Sequence, residues 1–448
     1  MTYLASRETT KEFTKFLIPS IIGCISIAIL IIVDGIFIGR GIGGQGLAAL
    51  STSVPVFTFY AALGLMIGMG AATVAAIQKG QGDEASKNKT FTLSLFIVLT
   101  IGLLVSIFQQ IFINDLTGFL GAPDNLFNLV KNYIRILGLF SVFFILAQFF
   151  GCFIRNDNNP KLAMVGMAVS GAINITLDYL FIFVFDWGMV GAAFATCISQ
   201  LGFIAILSLH FISPLNTLKL DLNCFNSKVV IRIFKTGFPT FLTDISNGVV
   251  IFAFNAALYK IIGELGVASY GIILNFNYLI FLTYIGISQA AQPMLSINYG
   301  RRDLKKVREI FKLALTISVV FSIVTIIGVN LFKFNIIAMY NNEPNIVKLA
   351  SIGMPLFFSG TLFMGINIIL AAFFQAVEYS TLSSVITFSR GIALIILGLL
   401  TLPNFLGING VWLTILFSEG LTFFFFILYY LTKKIKLYKK EACLANNQ

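Results

Sequence analysis

Long apolar runs, each broken by a short polar or Gly/Pro-rich stretch, recur from residue 14 to residue 432. A helix rising 1.5 Å per residue needs about 20 such residues to cross the hydrocarbon core of a bilayer. Splitting the chain at its breaks predicts twelve spanning helices, near 14–38, 48–77, 91–113, 128–153, 161–185, 188–211, 230–262, 267–296, 308–332, 346–375, 381–402 and 408–432. An even number places both termini on one side. The expected fold class is all-α and integral to the membrane, and the loops between the runs leave no room for a separate soluble domain.

The polar breaks are not equivalent. The N-terminus, alternate loops and the C-terminal tail carry about 23 of the 30 Lys and Arg, in clusters such as "KGQGDEASKNK", "RRDLKKVREIFK" and "KKIKLYKK". The opposite face has about six, Arg40, Lys260 and Lys348 among them. The positive-inside rule assigns the basic face, and with it both termini, to the cytoplasm.

The pattern also repeats. A shift of 220 residues brings Pro19 onto Pro239, "GLAAL" from Gly46 onto "GVASY" from Gly266, Gly80 and Asp83 onto Gly300 and Asp303, and Gly171 onto Gly391. "GMVGAA" at Gly188 resembles "GINGVW" at Gly407 with a shift of 219. Two halves of six crossings enter from the same side, which makes the repeat parallel about an axis along the membrane normal. The expected organisation is a six-helix bundle over 1–211, a cytoplasmic linker over 212–229 around "SPLNTLKLDLNCFNSK", a second six-helix bundle over 230–432 and a basic cytoplasmic tail over 433–448. Two bundles flanking a cleft suit a transporter that rocks between states.

Composition narrows the classes. Charged residues make up 11% of the chain against roughly 25% in a soluble domain. The net charge of +11 reflects loops on one membrane face rather than a nucleic-acid surface, since no basic helix alternates with aromatics outside the membrane. The five cysteines form no CxxC pair, so neither a zinc site nor a disulfide framework is indicated. "MTYLASRETTKEFTKF" has no signal-peptide pattern, and the first apolar run is expected to be a retained helix. "GRGIGGQG" matches a dinucleotide fingerprint but follows an apolar helix rather than a strand, and no GxxxxGK[ST] loop occurs. "NIT" at Asn174 and "NKT" at Asn88 match the glycosylation pattern but fall in the membrane and on the cytoplasmic face. His210, the one histidine, is expected near the inner end of helix 6 at the interface.

Against this background the polar residues inside the spans carry the chemistry. A carboxylate at the centre of a bilayer costs at least about 2.5–3.5 kcal/mol, and such groups mark ion or substrate pathways. Asp34 in helix 1, Asp178 in helix 5 and Thr196 in helix 6 all fall in the outward half of the first bundle, and Asn174 precedes Asp178 by one turn on the same face. Two carboxylates, an amide oxygen and a hydroxyl form an oxygen-rich cluster suited to a hard cation such as Na+ or to a shared proton. The second half does not repeat these acids: Phe254 stands opposite Asp34 and Gly398 opposite Asp178. It has its own set, Asp244, Arg390 and Glu419, in which Arg390 is expected to pair with Asp244 or Glu419 as an ion pair or a gating element. Tyr60, Met66 and Met69 on helix 2, with Asn275 and Tyr278 on helix 8, are candidates to line an aromatic cleft for flat cationic compounds.

Several stretches carry a resemblance. "VDGIFIGRGIGGQGLAALSTSVP" resembles the first helix and loop of the multidrug and toxic compound extrusion (MATE) family, and "GFPTFLTDISNGVVIFAFN", "GVASYGII" and "QAAQPMLSINYG" resemble its second-half segments, over about residues 12–432. The chain is most similar to the DinF-like and MepA-like branch. The resemblance implies a V-shaped fold of two six-helix bundles that exports organic cations and amphipathic drugs in exchange for H+ or Na+. It also implies a coupling site in the first bundle at Asp34, Asn174, Asp178 and Thr196. Just before Asp34, where relatives often carry a polar or aromatic residue, this chain has Leu30, Ile31 and Ile32, which leaves proton or sodium open. The expected partners are small organic molecules and the bilayer of a prokaryotic plasma membrane, with no nucleic acid, no cofactor beyond the coupling ion, no catalysis and a monomer as the working unit. The alternative within transport is a lipid-linked oligosaccharide flippase, which needs several intramembrane cations to hold pyrophosphate where this chain offers Arg390.

Overall fold

The computed structural model describes residues 5–341 and 343–445, the side chains of 432–445 excepted; the side chains of the expected basic tail, from 433 on, thus lie outside the described residues. The chain is helical throughout its apolar runs. The first half comprises α1 (Arg7–Gly41), α2 (Gly44–Gly80), α3 (Glu84–Ile111), the short α4 (Ile113–Phe119), α5 (Phe127–Leu139), α6 (Ser141–Asn156), α7 (Pro160–Asp178) and α8 (Gly188–Ser208). The second comprises α9 (Ser227–Ile262), α10 (Glu264–Gly300), α11 (Leu304–Ala338), α12 (Pro344–Phe358), α13 (Thr361–Ala376), α14 (Ser380–Phe388), α15 (Leu394–Leu406) and α16 (Ile408–Ala445). Among the described residues ten helical spans are long and apolar enough to cross a membrane alone, counting α7 and its continuation to Val184, α8 to Ile212, and α14 with α15, as one each. The pairs α5–α6, bent by 55°, and α12–α13, bent by 44°, supply two more and bring the total to the twelve that the sequence predicts. Several helices outrun their apolar cores: α1 and α2 have 35 and 37 residues, more than a bilayer requires.

Local sequence explains where the helices begin and stop. Ser6 caps α1 by accepting Thr9 N at 3.1 Å, Asp83 caps α3 by accepting Ser86 N at 2.9 Å, and Pro160 occupies the first turn of α7 behind its cap Asn159. The backbone carries the internal repeat more clearly than the side chains do. Left-handed positions recur at the 220-residue shift: Gly43 and Gly263 (φ 84° and 83°), Gly82 and Arg302 (82° and 61°), Asn158 and Glu378 (66° and 61°). Gly188 and Gly407 follow at 219, with φ of 52° and 55°. The cap on α3 recurs as Asp303 Oδ1 accepting Lys306 N at 2.9 Å.

The chain packs as two compact units. One holds residues 1–245, 278–314 and 372–381; the other holds 246–277, 315–371 and 382–448. The first unit therefore contains all of α1–α8 together with those ends of α9, α10, α11, α13 and α14 that share the Lys/Arg-rich side. Inside this unit the repeats meet directly. A Cβ on Gly80 would stand 2.1 Å from Ile297 O and 3.0 Å from Gly300 Cα; one on Gly300 would stand 2.2 Å from Ile77 O and 3.1 Å from Gly80 Cα. Residues 77 and 297, like 80 and 300, are repeat mates, so the contact is reciprocal, as a two-fold relation demands. Gly237 approaches Met66 O as closely, at 1.8 Å from an added Cβ. Around these glycines Gln292 Nε2 donates to Thr73 Oγ1 at 2.9 Å and Asn156 Nδ2 donates to Gln292 Oε1 at 3.0 Å.

Candidate functional site

In the first unit α7 packs along both α1 and α8, and this three-helix face carries the oxygen-rich residues. Asp178 is the last residue of the regular part of α7, after which the helix continues to Val184 in wider π-type turns. Such an insertion turns the following residues without ending the helix. Asp178 is fully enclosed, and Asn174, one turn earlier, is 2% exposed. Asp34, half-buried on α1, brings its carboxyl group beside that of Asp178. Among the described residues no donor reaches either oxygen of Asp178 or Oδ1 of Asp34. Two ionised carboxyls in this position repel each other, and a shared proton or a bound cation relieves the repulsion. Thr196 on α8 is half-buried and donates to Ala192 O at 3.0 Å, which leaves its hydroxyl oxygen able to accept.

Tyr133 on α5 adjoins the cluster. It is 2% exposed, and its hydroxyl lies beside Thr196 and near Asp34 and Asp178. Sequence reasoning passes over it because "KNYIRIL" sets the tyrosine between Lys131 and Arg135, the signature of an interfacial aromatic. The signal that could find it is the periodicity of α5: Val130, Tyr133, Ile134 and Leu137 are on its buried face. Among the described residues no group of three or more His, Cys, Asp and Glu converges. The donor set is instead two carboxylates with amide and hydroxyl oxygens, a composition suited to a proton or a hard cation and unsuited to zinc or copper.

The other candidates are placed differently. Arg390 sits in a π-type turn, Ser389–Ala393, between α14 and α15 in the second unit. Its Nε donates to Glu419 Oε1 and Oε2 at 3.0 and 3.1 Å, and its Nη2 to Oε1 at 2.6 Å. Asn367 Nδ2 donates to Glu419 Oε2 at 2.7 Å, and Ser418 Oγ to Arg390 O at 2.8 Å. Asp244 belongs to the first unit; it makes no salt bridge among the described residues, and its Oδ2 has no hydrogen-bond partner. The five cleft candidates do not share one environment. Tyr60, Met66 and Met69 are buried in the core of the first unit, where Tyr60 Oη bonds Gln109 Oε1 and its ring packs at 5.8 Å on Phe144. Tyr278 is half-buried in that unit, and Asn275 is exposed in the other.

A further polar centre lies where spans end. Asp157, just past α6, accepts Lys79 Nζ at 2.9 Å, His210 Nε2 at 2.9 Å and Thr217 N at 2.7 Å, and it also bonds Thr217 Oγ1. Burial pushes this carboxyl up, but the donors His210 and Thr217 and the Lys79 ammonium outweigh it and hold its pKa at about 2. His210, at the end of the α8 span as expected, is fully enclosed by protein, and a ring protonated on Nε2 satisfies both Asp157 and Asn159 Nδ2, the latter at 3.2 Å from Nδ1. The enclosure is not visible in the sequence because the acid that receives the histidine is 53 residues away.

Comparison with known proteins now bears on this arrangement. Residues 19–180 and 239–400 each match MatE, one copy per repeat. The chain belongs to the MatE family. It is 26% identical over 421 residues to the multidrug export protein MepA of Staphylococcus aureus strain MSSA476, covering 94% of this chain and 93% of that one. It is also 26% identical to MepA of Staphylococcus saprophyticus over 420 residues, 93% and 92% of the two chains. Solved structures share the fold. A MOP superfamily transporter from Pyrococcus furiosus superposes with a TM-score of 0.88 at 22% identity over 96% of both chains. A multidrug resistance MATE family transporter described as outward-facing gives 0.89 at 22% identity over 97% and 98%. An aspartate-to-asparagine mutant of the Vibrio cholerae MATE transporter VcmN gives 0.89 at 20% identity over 95% and 97%. The family named from the sequence motifs is therefore the family of this chain, and its all-helical membrane fold is shared across nearly its whole length.

Proposed function

We propose that this MatE-family chain is a secondary exporter of cationic and amphipathic organic compounds, driven by inward movement of H+ or Na+ across a prokaryotic plasma membrane. The observation that carries the reading is the adjoining pair of half-buried Asp34 and fully enclosed Asp178 on spanning helices, with no donor among the described residues reaching three of their carboxyl oxygens. A pair so placed takes up a proton or cation readily and gives it up when the environment changes. Asn174, Thr196 and Tyr133 supply the remaining oxygens. Loading the pair removes its mutual repulsion, rearranges α1 against α7 and favours release of the exported compound; return to the other state unloads it. One charge moving through 100 mV supplies about 2.3 kcal/mol, enough for roughly a 50-fold concentration ratio. The names of the MepA relatives support export of drugs. The basic loops support an orientation with both termini in the cytoplasm, and the working unit is a monomer. The flippase alternative gains nothing, because the guanidinium of Arg390 is already engaged by Glu419.

The test is transport by purified protein in vesicles loaded with ethidium. A pH gradient and a sodium gradient are imposed separately. Dye movement with one gradient, lost in Asp178→Asn, is the expected result and names the ion. Movement that is unchanged in both Asp34→Asn and Asp178→Asn would sink the reading.

A further inference from the structure

Residues 216–226, between the two repeats, are neither helix nor strand, yet their first part is firmly held. Thr217 is fixed by Asp157, and Lys87 Nζ donates to Thr217 O at 2.7 Å. Lys219 N then donates to Asn88 Oδ1 at 3.1 Å, and Asp221 N to Thr92 Oγ1 at 2.9 Å. The partners Lys87, Asn88 and Thr92 succeed one another along the first turns of α3. The linker thus climbs α3 away from its charged N-terminus, and at Asp221 it is level with Phe91–Leu93, where the sequence of α3 becomes apolar. There it turns its large apolar side chains outward: Leu220, Leu222 and Phe225 are 67%, 80% and 84% exposed, while Leu218 and Cys224 are buried. Lys219 and Lys228 flank them, both exposed, with Lys89 half-exposed beside them on α3; Asp221 is the one acid within the segment.

Three large apolar groups at the level where a span enters hydrocarbon, ringed by lysines, have the composition of an interfacial segment. We propose that residues 220–225 form a membrane-surface anchor, with Leu220, Leu222 and Phe225 inserted in the leaflet on the Lys/Arg-rich side and Lys219 and Lys228 on anionic lipid phosphates. The occupant of this face is the bilayer, as charge complementarity and depth along α3 both require. The link between the repeats is then tied at one end to the first unit and at the other to lipid, rather than being a slack tether.

Phe225→Trp in the full-length protein, combined with Trp187→Phe, tests this. Trp412, fully enclosed, remains as a constant background. The protein is reconstituted in phosphatidylcholine vesicles containing phosphatidylglycerol. The expected result is blue-shifted emission from the introduced tryptophan that is quenched by lipids brominated near the top of the acyl chain and shielded from aqueous iodide, with weaker bromolipid quenching when phosphatidylglycerol is omitted. Water-like emission quenched by iodide alone overturns the anchor, and bromolipid quenching indifferent to phosphatidylglycerol overturns the role given to the lysines. Leu222→Trp, measured in the same way, guards against a local effect at position 225.

Discussion

Asp34 and Asp178 in the first unit and Arg390 and Glu419 in the second are both charged clusters inside spanning helices, and they are built on opposite principles. Around Glu419 every charge is answered, by a guanidinium with three hydrogen bonds and an amide from Asn367, and Ser418 Oγ donates to the carbonyl of Arg390. Around Asp178 two acids face each other and neither oxygen of Asp178 is answered. A self-neutralised cluster has nothing left to bind and serves to hold helices in place. An unneutralised one is complete only when something enters from outside. The difference is the one expected between a structural ion pair and the coupling site proposed for the first unit.

The largest expected effect falls on the open cluster. Asp178→Asn should reduce gradient-driven export by about tenfold or more, since it removes the enclosed acid of the pair, and Asp34→Asn should act alike. In the closed cluster the outcome should depend on whether one or both charges go. Glu419→Gln alone strands a buried guanidinium and should cost about 3–5 kcal/mol, whereas replacing both with apolar residues of similar volume, as in Arg390→Met with Glu419→Leu, should be near neutral. Thermal unfolding in detergent measures this, and export by the double variant asks whether the pair does more than hold α14, α15 and α16 together. If the double variant unfolds as readily as Glu419→Gln, the contrast between the clusters collapses.

A third prediction compares the repeats where they touch. Ala at Gly80 or Gly300 places a methyl about 2 Å from a carbonyl of the other repeat, and overpacking of this kind costs about 1–3 kcal/mol. Because the contact is reciprocal, Gly80→Ala and Gly300→Ala should be equally harmful to export and to the cross-linking yield of cysteines placed at the ends of α2 and α10. Unequal effects would mean that the two-fold relation of the backbone is not a relation of function.

Much of this is legible in the chain. Twelve spans follow from the length of the apolar runs, and the two-fold repeat from Pro19, Gly80, Asp83 and their partners, because backbone geometry at glycines and caps tolerates few residue types. Depth and spacing nominate Asp34, Asn174, Asp178 and Thr196, and the structure brings the two carboxyls together. Tyr133 is not legible, since the 55° bend between α5 and α6 and its burial beneath α8 belong to tertiary packing. Nor is the Asp157 centre, whose donors come from positions 79, 210 and 217. Tyr60, Met66 and Met69 misdirect for a related reason: in a chain apolar on every side, hydrophobic periodicity does not tell core from cleft.

The smallest effect should come from Tyr133→Phe, and it is the sharpest probe of how open the first cluster is. The change removes one hydroxyl from beside Thr196 and keeps the ring, so packing of α5 is preserved. If Tyr133 helps to hold the entering ion, the loss of one neutral hydrogen-bonding group should weaken ion affinity by about 0.5–1.5 kcal/mol, roughly a factor of 2 to 12. Export at saturating gradient should remain, while the gradient or sodium concentration giving half-maximal rate rises by that factor. A fall in maximal rate with unchanged half-saturation would instead place Tyr133 in the proposed rearrangement of α1 and α7. The same substitution has no counterpart in the second unit, where Asn367 meets an acid already paired, so the response of Tyr133→Phe belongs to the unpaired cluster alone.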